Sequence, residues 1–109
     1  MPRPRVILES PFAGDIETNR LYALACMRDM LERGEAPFAS HLLYPLVLSY
    51  ERKLGIEAGL AWTKVADLSV IYTDLGITQG MRRGIDEARL SGVHREQRSL
   101  VETGKWSKP

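Results

Sequence analysis

The stretch VILESPFAGDIETNR, residues 6–20, decides the fold of this chain. It opens on an apolar run, residues 6–8, which indicates a strand buried on both faces. A Ser-Pro turn and a Gly-Asp pair follow, and Asp15 is suited to cap the helix that begins behind it. A buried strand, a tight loop and a helix in this order predict the first half of a βαβ unit.

The rest of the chain repeats this alternation of strand and helix. Apolar residues recur at helical spacing until Gly34, and a short strand is predicted over residues 36–41, where Pro37 confines it to a strand start or a sheet edge. The remaining segments predict a loop or turn at 42–50, a helix at 50–65, a strand at 68–73, a helix at 78–92 and a weak edge strand from 95. The fold class is therefore α/β: a small Rossmann-like, flavodoxin-like parallel sheet of about four strands with helices on both faces.

Length and composition limit the classes of protein that this chain can belong to. At 109 residues it fits one domain, which we place at residues 1–100, followed by a tail at 101–109 that is loose unless Trp106 docks. The formal charge of +1 gives little attraction to nucleic acid or to a membrane surface, so neither is predicted as a partner. A single cysteine, Cys26, suits a reducing compartment, so we expect the cytoplasm.

The first loop and the end of the second strand carry polar residues that suit a binding site. Gly14 lets the backbone approach an anion at the start of the following helix, but Asp15 competes for the same amides, so a ligand loop and a structural corner both stay open. His41 could hydrogen-bond a base, relay a proton or be structural. It has no Cys or His companions, and therefore we predict no metal site.

Two further positions could face a cleft. Asp74 follows a buried strand, where a carboxylate can accept from a ribose hydroxyl or cap the turn that follows. Gly55 and Gly59 lie four residues apart on one helix face and permit close approach of another backbone or a ligand. Glu57 could project towards a cleft from that face, or be a solvated helix charge.

Three segments resemble a known superfamily: ILESPFAGD (7–15), GLAWTKVADLSVIYTD (59–74) and GITQGMRRGIDEA (76–88). They are similar to the nucleoside 2-deoxyribosyltransferase-like superfamily, which includes the deoxynucleotide N-glycosidases, and more closely to small phage-encoded domains of unknown function. The matching segments occur in the same order as in that superfamily, over residues 5–92. The resemblance implies a nucleoside-related site and, for a phage-encoded protein, the cytoplasm of the host cell.

The resemblance also places the superfamily's two catalytic carboxylates on positions that lack them here. The assisting aspartate falls on Gly59 and the nucleophilic glutamate on Gly84. The usual covalent route is therefore expected to be absent unless Glu57, Asp86 or Glu87 substitutes. We expect a nucleotide- or nucleoside-binding protein without a cofactor, whose ligand contacts Ser10, Pro11, Phe12, Gly14, Asp15, Ser40, His41, Asp74, Thr78, Gly80 and Met81.

Two other functions stay open at this point. One is an N-glycosidase or deoxyribosyltransferase acting on deoxynucleosides or deoxynucleotides, with Glu57 as a displaced nucleophile. The other is a non-catalytic protein that binds a host factor through the apolar segment 42–48 or through the tail from His94. Superfamily enzymes commonly dimerise, and that apolar segment gives a physical reason to expect a homodimer.

Overall fold

A computed structural model describes residues 2–48 and 51–107 of the chain. Its strands are β1 (Arg5–Glu9), β2 (Ala36–Phe38), β3 (Leu68–Tyr72) and β4 (Arg95–Arg98). Its helices are α1 (Ile16–Glu32), α2 (Ser40–Leu43), α3 (Arg52–Thr63) and α4 (Gln79–Leu90), and a short 3-10 turn spans Tyr44–Leu46.

All four strands are parallel and lie in the order β2-β1-β3-β4. The chain passes from β1 to β2 on one side and then returns to β3 on the other, so the strand order reverses between β1 and β3. Because parallel crossovers are right-handed, this reversal puts α1 on one face and α3 with α4 on the other. The predicted α/β fold, with a four-stranded parallel sheet and helices on both faces, is confirmed.

The main core lies between the sheet and α1. Val6 and Leu8 of β1 pack there with Tyr22, Cys26 and Met30 of α1, all of them buried. Successive side chains of a strand point to opposite faces. Ile7 and Glu9 therefore point to the other face of the sheet, towards α3 and α4.

The second strand is shorter than the sequence pattern indicated. The predicted strand 36–41 ends at Phe38, and Ser40 begins α2. The reason is that β2 lies at the sheet edge and pairs only with β1, over three positions ending at Phe38. Segment 42–48 forms the end of α2 and the 3-10 turn, as expected of a turn containing Pro45, whereas Ser49 and Tyr50 lie outside the described residues.

The segment after β4 is fastened to the α1 side of the molecule. The Asp74 carboxylate accepts hydrogen bonds from the hydroxyls of Tyr22 and Ser99 and from the amides of Leu100 (2.8 Å) and Val101 (3.0 Å). The Trp106 ring contacts the Tyr22 ring edge-on, at 5.3 Å between centroids. Trp106 therefore contacts the helix α1 side of the molecule.

We predict that Asp74→Asn destabilises the fold. Burial alone opposes ionisation of Asp74, but the hydrogen bonds from Ser99, Tyr22 and the two amides outweigh it and lower its pKa to about 2. An amide has no charge and turns one acceptor into a donor, so we expect a loss of about 2 kcal/mol in urea unfolding. Asp86→Asn, on the exposed face of α4, is the matched control and should change stability by less than about 0.5 kcal/mol. Equal stability of the two variants would contradict the assignment.

Candidate functional site

A recess of about 60 Å³ opens at the carboxyl end of β1, where the strand order reverses. Ligands of open α/β sheets bind at such a reversal. The recess is lined by Ile7, Leu8, Glu9, Phe38, Ser40, Ile56, Gly59, Leu60, Thr63, Gly80 and Gly84. A larger cavity of about 130 Å³ borders Arg5, Ala36 and Val65 near the opposite end of the strands, but its walls are mostly apolar. The smaller recess is the better candidate because polar groups converge in it.

The carboxyl group of Glu9 is the principal polar group of the recess. Burial raises its pKa to about 8, although part of the residue still reaches the surface. Within residues 2–48 and 51–107, no hydrogen bond or ion pair to this carboxyl group is formed. Glu9 is therefore mainly uncharged at neutral pH.

Sequence reasoning missed Glu9. The available signal was its position, since it ends a strand that was expected to be buried on both faces, two residues after the inward-facing Ile7. A strand without a solvent face offers its last side chain no exposed direction. The Glu9 side chain therefore had to point towards the helices on one of the two faces of the sheet.

Gly84 and Gly59 have no side chains, and the polar side chains of Glu9 and Ser40 occupy the space beside them. A Cβ atom on Gly84 would lie 2.6 Å from Cδ of Glu9, and nearer still to its Oε2. A Cβ atom on Gly59 would lie 2.6 Å from Oγ of Ser40. The glycine face of α3 is approached by side chains: Ser40 of α2 lies beside Gly59, and Tyr44 of the 3-10 turn lies beside Gly55. The positions that the resemblance assigned to catalytic carboxylates thus both lie on the recess wall, without side chains.

A hydrogen-bonded pair, Ser10 and His41, lies next in sequence to the recess residues Glu9 and Ser40. The Oγ atom of Ser10 lies 2.7 Å from Nε2 of His41. Burial lowers the pKa of His41 to about 4, so the imidazole is neutral at pH 7. A neutral imidazole and a hydroxyl can exchange donor and acceptor roles without moving a net charge.

The first loop is held by its own hydrogen bonds. The Asp15 carboxylate accepts from the amide (3.1 Å) and the hydroxyl (2.8 Å) of Thr18 and so caps α1. The side-chain amide of Asn19 donates to the carbonyl oxygens of Phe12 and Ala13. These contacts favour the structural-corner interpretation, because the acceptor that a bound anion would have to displace is already in place.

The remaining predicted site residues divide between the recess and other places. Gly80 lines the recess with Ser40, whereas Thr78 caps α4 by accepting from the amide of Met81, at 3.2 Å. Glu57 lies on the exposed side of α3, where its carboxylate is 3.9 Å from Nζ of Lys53. The other predicted positions, Pro11, Phe12, Gly14 and Asp74, are not among the lining residues.

The described residues contain no group of three or more His, Cys, Asp or Glu side chains placed to hold a metal ion. Within those bounds, too, no helix has the length and apolar character that crossing a membrane requires.

The fold is similar to that of a solved nucleoside-processing enzyme. The 2-deoxyribosyltransferase from the psychrotolerant bacterium Bacillus psychrosaccharolyticus superposes with a TM-score of 0.64 at 18% sequence identity, over 88% of this chain and 72% of that one. At this identity the likeness establishes the fold alone, a Rossmann-like deoxyribosyltransferase fold. The chain belongs to the family described as Domain of unknown function (DUF7768), whose model matches residues 4–98. No curated protein matches the sequence.

We predict that the effect of Gly84→Ala depends on Glu9. In the wild type the added methyl group meets the carboxyl group at the flexible end of the Glu9 side chain, which must turn away, so we expect a net destabilisation of no more than about 1 kcal/mol. In a Glu9→Ala background the same change only removes a glycine from a helix, which should stabilise it by about 0.5–1 kcal/mol. Denaturant unfolding of the four proteins gives the coupling free energy.

Gly80→Ala is the matched control for this cycle. A Cβ atom on Gly80 would meet nothing nearer than the Thr78 hydroxyl, at 3.9 Å. Gly80→Ala should change the free energy of unfolding equally in the wild-type and Glu9→Ala backgrounds. Additive effects for Gly84→Ala would show that the carboxyl group does not occupy the space beside α4.

Proposed function

We propose that this protein binds a nucleoside or nucleotide at the recess. The observation that carries the proposal is the partly buried Glu9 carboxyl group, which faces an otherwise mainly apolar wall together with the Ser40 hydroxyl. A few convergent polar groups in an apolar pocket are typical of small-molecule sites. The fold shared with a 2-deoxyribosyltransferase supports a nucleoside-related ligand.

The size of the recess limits how much of a ligand enters it. A cavity that encloses a benzene ring measures about 150 Å³, whereas this one measures about 60 Å³ and is open to solvent. Only the edge of a base or one side of a sugar fits inside. The rest of the ligand lies in front of the opening.

The charges around the recess favour entry of the uncharged part of the ligand, the base or the sugar. None of the side chains on its wall is basic. The amides at the start of α1 face the Asp15 carboxylate, which repels an anion there. A phosphate group, where the ligand has one, would therefore lie outside the recess.

The proposed binding takes place without the superfamily's covalent route. Gly59 and Gly84 have no side chains to attack the sugar or to move a proton.

A second candidate function, cleavage or transfer of the N-glycosidic bond, is favoured by one observation: Glu9 brings a carboxyl group to the place beside Gly84. Chromatographic detection of free base released from deoxynucleosides distinguishes the two functions.

We propose a phage-type protein, as the sequence resemblance to phage-encoded domains implies. In that setting the protein acts in the host-cell cytoplasm. Segment 42–48 exposes Leu43, Leu46 and Val47, the last two by 82% and 78%. This apolar surface is the proposed contact in a homodimer, with a host protein as the alternative partner.

We predict weak, saturable binding of nucleosides, with Kd roughly 10–1000 µM because only part of the ligand is buried. Amide NMR shifts during titration with a panel of nucleosides and their monophosphates should cluster at Glu9, Ser40, Gly59 and Gly84. Glu57→Gln, on the outer side of α3, is the control and should bind like the wild type. No response to any compound, or shifts confined to the cavity beside Arg5 and Val65, would remove the proposal.

A further inference from the structure

Among the residues that the structure describes, no charged side chain lines the recess beside the carboxyl group of Glu9. Every other residue of the wall, contributed by β1, β2, α2, α3 and α4, is uncharged. The charged residues of α3 and α4 nearest in sequence to its glycines, Glu57, Arg82, Arg83 and Asp86, are exposed. The titratable group next to the wall, His41, is neutral and bonded to Ser10.

An isolated carboxyl group in such surroundings keeps its proton. A protonated carboxylic acid presents one O–H donor and one carbonyl acceptor side by side. The partner that satisfies both is a neutral group with a donor next to an acceptor, such as the amide or amidine edge of a nucleobase. An anionic group would find the O–H donor but would leave the acceptor facing a negative charge.

We propose that Glu9 binds the ligand as an uncharged acid, through its paired O–H donor and carbonyl acceptor, and so selects a nucleobase edge over an anionic group. Gly84 makes this possible, because any side chain there would displace the carboxyl group from the wall. The inference rests on the proposed function, since it names the part of a nucleoside that enters the recess.

Two substitutions at Glu9 separate this role from that of a charged group. Glutamine also offers one donor and one acceptor side by side without charge, so Glu9→Gln should keep nucleoside affinity within about threefold. Leucine has a similar volume and neither group, so Glu9→Leu should weaken binding at least about tenfold. Both variants remove a buried acid, and thermal unfolding should show that they fold at least as stably as the wild type.

The pH dependence of binding gives a second readout. Wild-type affinity should fall as the pH rises from 7 to about 9.5, through the Glu9 pKa of about 8, because the donor is lost. With adenosine or cytidine, whose bases keep their protonation state over this range, the Glu9→Gln variant should show no such fall. Calorimetry with nucleosides and with the free bases measures both proteins at each pH.

The outcomes separate this inference from the proposed function. Binding that Glu9→Leu retains, or that Glu9→Gln abolishes, overturns the role of Glu9 while leaving nucleoside binding in place. Wild-type protein that binds neither nucleosides nor free bases overturns both. The inference would be established if Glu9→Gln keeps its affinity for nucleosides, Glu9→Leu loses it, and only the wild-type affinity depends on pH.

Discussion

Strand β1 pairs with β2 along one edge and with β3 along the other, and helices cover both of its faces. Its three central residues, Val6, Ile7 and Leu8, are therefore buried, and its last residue is a partly buried glutamate. An unpaired buried carboxylate is costly, so the acid stays protonated and its pKa rises to about 8. The folded chain then holds a proton that the unfolded chain releases above about pH 4.3. Glu9 consequently opposes folding increasingly as the pH rises from that value towards 8.

The two faces of the sheet have different roles. On the α1 face, polar groups serve structure: Asp29 accepts from the Tyr72 hydroxyl at 2.6 Å and from Lys105, and Asp74 holds the segment after β4. Each of these carboxylates has several donors, and hydrogen bonds lower its pKa despite burial. On the α3 and α4 face, no donor in the described part of the chain hydrogen-bonds the carboxyl group of Glu9. An acid that the fold leaves without partners is available to a ligand.

The sequence predicted the order of elements because that order depends on local patterns. The apolar run of β1, the cap at Asp15 and the helical spacing of α1, α3 and α4 all act within a few residues of one another. The contacts of the site were harder to predict from the sequence. Asp74 was correctly placed at a strand end, but its partners are distant in the chain. Tyr22 lies 52 residues before it, and Ser99, Leu100 and Val101 lie some 25 residues after it, so its contacts depend on the docking of the tail. The Glu9–Gly84 contact joins residues far apart in the chain, and only the alternation of β1 hinted at it.

The protonation state of the Glu9 side chain decides whether the recess is uncharged. Carboxyl-detected NMR of protein labelled with ¹³C at glutamate, with Glu9→Gln used to assign the resonance, measures the pKa of Glu9. We expect a midpoint of about 8 for Glu9, well above that of ordinary exposed glutamates at about 4.3. A Glu9 midpoint in the ordinary range would show that the carboxyl group lies in water or beside a cation, and would contradict the uncharged recess.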